Sequence, residues 1–282
     1  RPAVTDPLAV PRNELGSGPV PVTLMPDATA LAQRFADDIL GEYRNAKQRG
    51  RETVLMIVPV GPIGQYDLLA ARCNKERIAL RDLLLIGMDE YLGPDGEWIP
   101  EDNPLSFRGH VRRRFWEALD PALAPPPELR VFPDPHRLEQ IPALIERHGG
   151  VDVCFGGTGI AGHLAFNEPP EPGEPADPEA FVASPTRIVT LARETRTINS
   201  VMVWGGAIGR IPERGVTVGM REVLGARKLR LFLNRAWQRA IVREALFGPV
   251  GPACPASYIQ RHPDGAMVIT EDVARQPQPA LV

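Results

Sequence analysis

The sequence predicts a three-layer, Rossmann-like α/β fold, with a mostly parallel sheet and helices on both faces. Three observations carry this. Short, largely apolar runs of strand length recur along the chain. Helical patterns of about 10–15 residues separate them, the arrangement of βαβ units. At 282 residues and 43% hydrophobic content, the chain can bury a core without disulfide or metal staples.

The strands are expected at Val54–Val58, Leu83–Gly87, 151–155, 216–218, Leu229–Leu233 and 267–270. Asp27 is a candidate N-cap for a helix running to about Gln48. Further helices are expected over 65–74, 106–119, 138–148 and 235–247. Residues 1–20, rich in Pro and Gly without periodicity, read as an irregular arm. A single α/β domain then spans 21–275, with a Pro/Glu-rich excursion at 169–178, and 276–282 reads as a tail.

Composition narrows the classes of function. With 32 basic and 35 acidic residues, the net charge of −3 offers no footprint for nucleic acid. The densest basic run, Arg112-Arg113-Arg114, falls within a helical pattern. Cys73, Cys154 and Cys254 are odd in number and lack a C-x-x-C pair, so they read as reduced, mostly core thiols in a cytoplasmic protein. No run approaches 18 apolar residues, so no membrane span is expected. The opening Arg1-Pro2-Ala3 shows no basic-then-apolar leader.

In open parallel sheets ligands bind beyond the carboxyl ends of the strands. That rule selects the loops 59–64, 89–96 and 156–168. The third contains a literal G-x-G-x-x-G, Gly157 to Gly162. A dinucleotide site needs a helix opening at the end of that motif. Pro169-Pro170 stops any helix within seven residues of Gly162, so no dinucleotide cofactor is expected. No cluster has metal-ligand spacing, and no metal is expected.

The same loops hold groups suited to acid–base chemistry on a sugar. Isomerising an aldose moves a proton between C2 and C1, which one carboxylate can do. Asp89, directly after a strand, is placed for that, although an Asp there also serves as a helix cap or ion-pair acid. His163 can carry a proton between ring oxygen and hydroxyl. Glu168, five residues on, can hold the imidazole tautomer. Glu90 and Tyr91 are read as supporting groups. His110, His136, His148 and His262 are expected at the surface.

Phe155-Gly156-Gly157-Thr158-Gly159-Ile160-Ala161-Gly162-His163-Leu164-Ala165-Phe166-Asn167-Glu168-Pro169 closely resembles the signature of glucosamine-6-phosphate deaminases. Gly87-Met88-Asp89-Glu90-Tyr91-Leu92-Gly93 and Gly215-Val216-Thr217-Val218-Gly219-Met220 match in the family's order. Weaker resemblance runs from about residue 20 to 271. It implies Asp89 as carbon acid/base, and His163 with Glu168 for ring opening. It also implies substrate contacts at Gly61, Gly64, Glu90, Tyr91, Gly157, Thr158, Gly159, Gly162 and Asn167. The implied partner is a small sugar or amino sugar. Members often form homo-oligomers, but no interface can be read from these residues.

Three departures stand out. Where the family has Asp before the Gly-His pair, this chain has Ala161. Where its phosphate loop reads Pro-Thr/Ser-Gly-Gly-Thr-Pro, this one reads Pro59-Val60-Gly61-Pro62-Ile63-Gly64. The phosphate Arg after Asn-Ser is Val201, and the phosphate Lys falls on or beside Gln238, with Arg210, Arg235 and Arg239 as the nearby cations. Losing two charged partners costs about 3–6 kcal/mol, or two to four decades of affinity. The expected function is therefore aldose–ketose proton transfer, with or without deamination, on a sugar or amino sugar. It is the family's glucosamine-6-phosphate reaction, or the same reaction on a substrate that is not phosphorylated or carries its anion elsewhere. A lactonase-type hydrolase of the 6-phosphogluconolactonase kind and a non-catalytic sugar-binding regulator are the rivals.

Overall fold

The computed structural model describes residues 6–279. A seven-stranded parallel sheet holds β1 (Val22–Met25), β2 (Val54–Val58), β3 (Leu83–Gly87), β5 (Arg130–Val131), β6 (Val153–Gly156), β9 (Leu229–Leu233) and β10 (Gly265–Thr270). Their spatial order is β1-β10-β9-β6-β2-β3-β5. A second, antiparallel sheet orders β4 (Asp89–Leu92), β8 (Arg214–Thr217) and β7 (Arg187–Thr190) as β4-β8-β7. The helices are α1 (Ala28–Gln48), α2 (Gln65–Glu76), α3 (Phe107–Val111), α4 (Gln140–Arg147), α5 (Pro178–Val182), α6 (Arg193–Trp204), α7 (Met220–Leu224), α8 (Arg239–Phe247) and α9 (Glu271–Ala274).

Strand periodicity explains the layers. Side chains alternate across a sheet, so a strand buried on both faces is apolar at every position. In β2, Val54, Met56 and Val58 join one core with Phe35 and Ile39 of α1 and Leu69 of α2. Leu55 and Ile57 join the other, with Ile141 of α4 and Val242 of α8. Asp27 caps α1, its carboxylate accepting from the Ala30 amide at 2.8 Å.

Several expected features are corrected by the packing. The segment read as an irregular arm carries 3-10 turns at Pro7–Ala9 and Arg12–Ser17, and Val10, Leu15 and Val20 enter the core. The buried Arg243 of α8 donates through Nε to the Val10 carbonyl at 2.8 Å, which ties the segment down. Residues 1–5 and 280–282 lie outside the described residues. The run at 216–218 belongs to the small antiparallel sheet, not to the parallel one. The expected helix over 106–119 ends its α-helical part at Val111 and continues as a π turn, Arg112–Trp116. Its arginines are consumed locally, as in the pairing of Arg112 with Glu101 and Glu117.

The chain steps from β2 outward through β3 and β5, then returns to β6 on the other side of β2. That reversal is the switch point at which open α/β sheets bind ligands. The loops after β2 and β6 flank it.

Candidate active site

A cavity of about 450 Å³ lies at this point. Residues following β2, β3, β6 and β9 line it, together with one face of α6. Its size is in the ordinary range for small-molecule sites.

The loop after β6 is built around His163. Gly159 permits the close approach: a Cβ there would stand 2.2 Å from the ring's Cε1 and 2.3 Å from Nε2. Gly162 at φ +84° and Ala165 at φ +49° put two left-handed turns into the loop. For Ala165 that conformation costs on the order of 1–3 kcal/mol and persists only where the surroundings impose it. They do so here. The Phe166 amide donates to Thr217 Oγ1 at 3.0 Å, and buried Asn167 donates to the Leu164 and Val218 carbonyls at 2.8 and 3.0 Å.

His163 Nδ1 lies 2.8 Å from Glu168 Oε2. Thr195 of α6 places its hydroxyl 3.2 Å from Nδ1 and also hydrogen-bonds the Glu168 carboxylate. The Ala192 amide donates to the same carboxylate at 3.4 Å. Nδ1–H is thereby committed to Glu168, leaving Nε2 as the exchangeable position. Burial opposes charge on the ring, but the charge and hydrogen bond of Glu168, with Asp89 beyond, outweigh it and raise the His163 pKa. Burial likewise opposes charge on Glu168, and His163 and its other donors reverse that, holding its pKa below the usual range.

Asp89 opens β4 rather than a loop, because residues 89–92 pair with β8. Its carboxyl faces the cavity, and among the described residues neither a hydrogen bond nor an ion pair is recorded for it. Burial pushes its pKa up to about 7, with nearby His163 pulling it down and Glu90 pushing it further up.

The remaining candidates divide. Gly61, Tyr91, Gly157, Thr158 and Gly159 line the cavity. Gly64, Glu90, Gly162 and Asn167 do not. Glu90 is buried and spends its carboxylate on the start of α3, accepting from Ser106 Oγ at 2.7 Å and the Arg108 amide at 2.9 Å. Asn167 is consumed in bracing the His163 loop. His110, expected at the surface, lines the cavity, and burial lowers its pKa.

No family model matches the chain. Curated relatives do. It is 30% identical over 263 residues to a glucosamine-6-phosphate deaminase of Streptomyces avermitilis, covering 90% of this chain and 91% of the relative. The identity to the Mycolicibacterium smegmatis enzyme of that name is 30% over 250 residues, covering 88% and 84%. The chain belongs to the glucosamine-6-phosphate deaminase family. Among solved structures, a monomeric glucosamine-6-phosphate deaminase superposes with TM-score 0.74 at 23% identity, covering 90% of this chain and 98% of the other. A 6-phosphogluconolactonase from Trypanosoma cruzi superposes at 0.65 and 13% identity, covering 90% and 95%. These two likenesses speak to the fold.

The departures from the family's pattern can now be placed. Val60, Pro62, Ile63 and Gln238 line the cavity. Gln238 is buried and donates to the Thr158 carbonyl at 2.9 Å, so it braces a loop. Val201 is exposed, and its neighbours Met202 and Val203 line the cavity. Of the three nearby arginines, Arg239 is tied to Asp272 and Arg210 is off the lining, whereas Arg235 reaches it. No helix among the described residues is long and apolar enough to cross a membrane.

Sequence reasoning missed α6. Thr195 touches His163, Asn199 donates to the Tyr91 hydroxyl at 2.9 Å, and Met202 and Val203 follow on the lining. Those positions are i, i+4, i+7 and i+8, one helical face. The signal was present as a period, but its first two members are polar and an apolar-periodicity search passes over them.

Proposed function

We propose that this chain catalyses aldose–ketose proton transfer on a sugar or amino sugar. Asp89 is the carbon acid/base, and the His163–Glu168 pair opens the ring. The observation that supports this most is the convergence on one cavity of a carboxyl with a pKa of about 7 and an imidazole held through Nδ1 by a carboxylate. A base titrating near working pH is both available and strong enough to act.

In this reading His163 Nε2 exchanges a proton with the ring oxygen as the ring opens. Asp89 then takes the proton from C2 while protonated His163 gives one to the C1 carbonyl oxygen, which becomes the enol hydroxyl. Asp89 delivers a proton to C1 after its carboxyl has had time to exchange with solvent. On an amino sugar the transfer leaves an imine at C2, whose hydrolysis releases ammonia. Thr195 and Glu168 position the imidazole and stay out of the proton transfer. Ala161 leaves ring opening to His163 without a second acid in the same loop, so open-chain substrates should be handled relatively better than cyclic ones.

Incubation with glucosamine and glucosamine 6-phosphate in deuterated buffer tests the reading by proton NMR. Wild-type protein should wash the C2 proton out of at least one of them. Turnover of a sugar lactone with no exchange at C2 on any amino sugar would sink it.

A further inference from the structure

The face of α6 that meets the cavity changes character along its length. It begins at Thr195, in contact with His163, passes Asn199 on Tyr91, and ends at Met202 and Val203. At about 1.5 Å rise per residue, Val203 lies roughly 12 Å along the axis from Thr195. The helix therefore runs from the ionisable centre to the cavity mouth. At that mouth the wall is apolar. Met202 is 42% exposed, Val203 56% and Ile63 50%, and all three line the cavity. The buried residues of α6 are Thr195 and Ser200, and its large apolar side chains from Val201 to Trp204 are left exposed.

Folding gives no reason for this. A surface helix ordinarily buries its apolar stripe. Contiguous exposed apolar residues beside a cleft mark a binding surface. Because the same face is continuous with His163, the ligand that fits is one that occupies both ends.

We propose that the cavity mouth is a subsite for an apolar substituent, aryl or alkyl, carried by the sugar at the end remote from its reacting carbons. This rests on the proposed function, which puts C1 and C2 at Asp89. The exocyclic C6 end of an aldose is the part farthest from them, and it meets Ile63, Met202 and Val203. Among the described residues Arg235 is the one Arg or Lys of the lining, a single charge against the two of a dianion. Val60, Pro62 and Ile63 offer no side-chain donor.

Calorimetry with glucosamine, glucosamine 6-phosphate and 6-O-benzylglucosamine in one buffer and salt is the test. The benzyl ether should bind at least tenfold tighter than glucosamine, about 1.4 kcal/mol, and the phosphate less than tenfold tighter. The double variant Met202→Gln, Val203→Thr keeps volume and helix, and should cut the benzyl gain to less than about threefold. No benzyl gain, a gain untouched by the variant, or a phosphate gain of about a thousandfold would each overturn the subsite. Exchange of the C2 proton on the same compounds separates the two claims. A variant-sensitive benzyl gain with no exchange on any compound leaves the subsite standing and removes the function. Exchange on the phosphate with the benzyl ether excluded does the reverse.

Discussion

The His163 loop and the carboxyl end of α6 line the same cavity and are built on opposite principles. In the loop, His163 and Glu168 hold each other with Thr195 of α6, Asn167 ties the backbone at Leu164 to Val218, and two left-handed residues are held within that network. At the end of α6 the side chains from Val201 to Trp204 are 42–59% exposed and hold nothing in place. Proton transfer needs groups fixed to fractions of an ångström, so its residues are over-determined. Recognition of a substituent tolerates a loosely packed wall, so it can change without disturbing the chemistry. Of the departures read in the sequence, Val60, Ile63 and Val201 belong to the cavity wall and the end of α6, whereas Ala161 lies in the His163 loop and Gln238 braces it.

Asp89→Asn is nearly isosteric but cannot accept a proton, and exchange at C2 should fall by roughly two decades or more while binding persists. Because burial raises the Asp89 pKa to about 7, the base form is gained as pH rises through that value. In wild type, kcat/KM should climb below about pH 7 and level above it. An acid limb centred near 4 would show that Asp89 is not the base.

Gly159→Ala tests how tightly the loop is specified. Its new methyl would meet the imidazole at 2.2 Å, so ring or loop must move. Overpacking of this kind costs about 1–3 kcal/mol. Both a lower midpoint in denaturant and slower exchange are expected. Full activity would mean that the ring position is not critical.

A gentler probe is Glu168→Gln. Removing the carboxylate leaves burial to act on His163 with less opposition, so its pKa should drop, as followed by NMR titration of the ring. An unmoved titration would uncouple the pair. The smallest effect belongs to the other region. Met202→Ala with Val203→Ala removes exposed side chains and should change stability by less than about 0.5 kcal/mol. A larger loss in thermal melting would show that α6 packs more firmly than its exposure indicates.

Much of this was legible in the residues. Strands β2, β3 and β9 appear at their expected bounds because buried strands are apolar at nearly every position, Arg230 of β9 being the exception. The Asp27 cap, and the placement of Asp89 and His163 at the crevice, follow from local patterns and strand-end logic. Glu90 and Asn167 show the limit. Both sit inside the matching motifs, yet one caps α3 and the other braces the loop, because a motif marks what must be kept without saying which way a side chain points. The arm over 1–20 misled for a related reason. Its 3-10 turns have no apolar period of their own, and what orders them is Arg243, over 200 residues away.

Local composition and periodicity thus specified β2, β3, β6, β9 and β10, helices α1 and α2, and the nearness of His163 to Glu168, since these depend on neighbours close in the chain. The positions of Thr195, Asn199, Met202 and His110, and the apolar mouth, came from where α6 and α3 meet the cavity. Those contacts join segments 30 to 110 residues apart, as Thr195 with His163 at a separation of 32 and Asn199 with Tyr91 at 108. No local pattern encodes such a pairing, because what fixes it is the burial of each face against a surface that exists only once the sheet has formed.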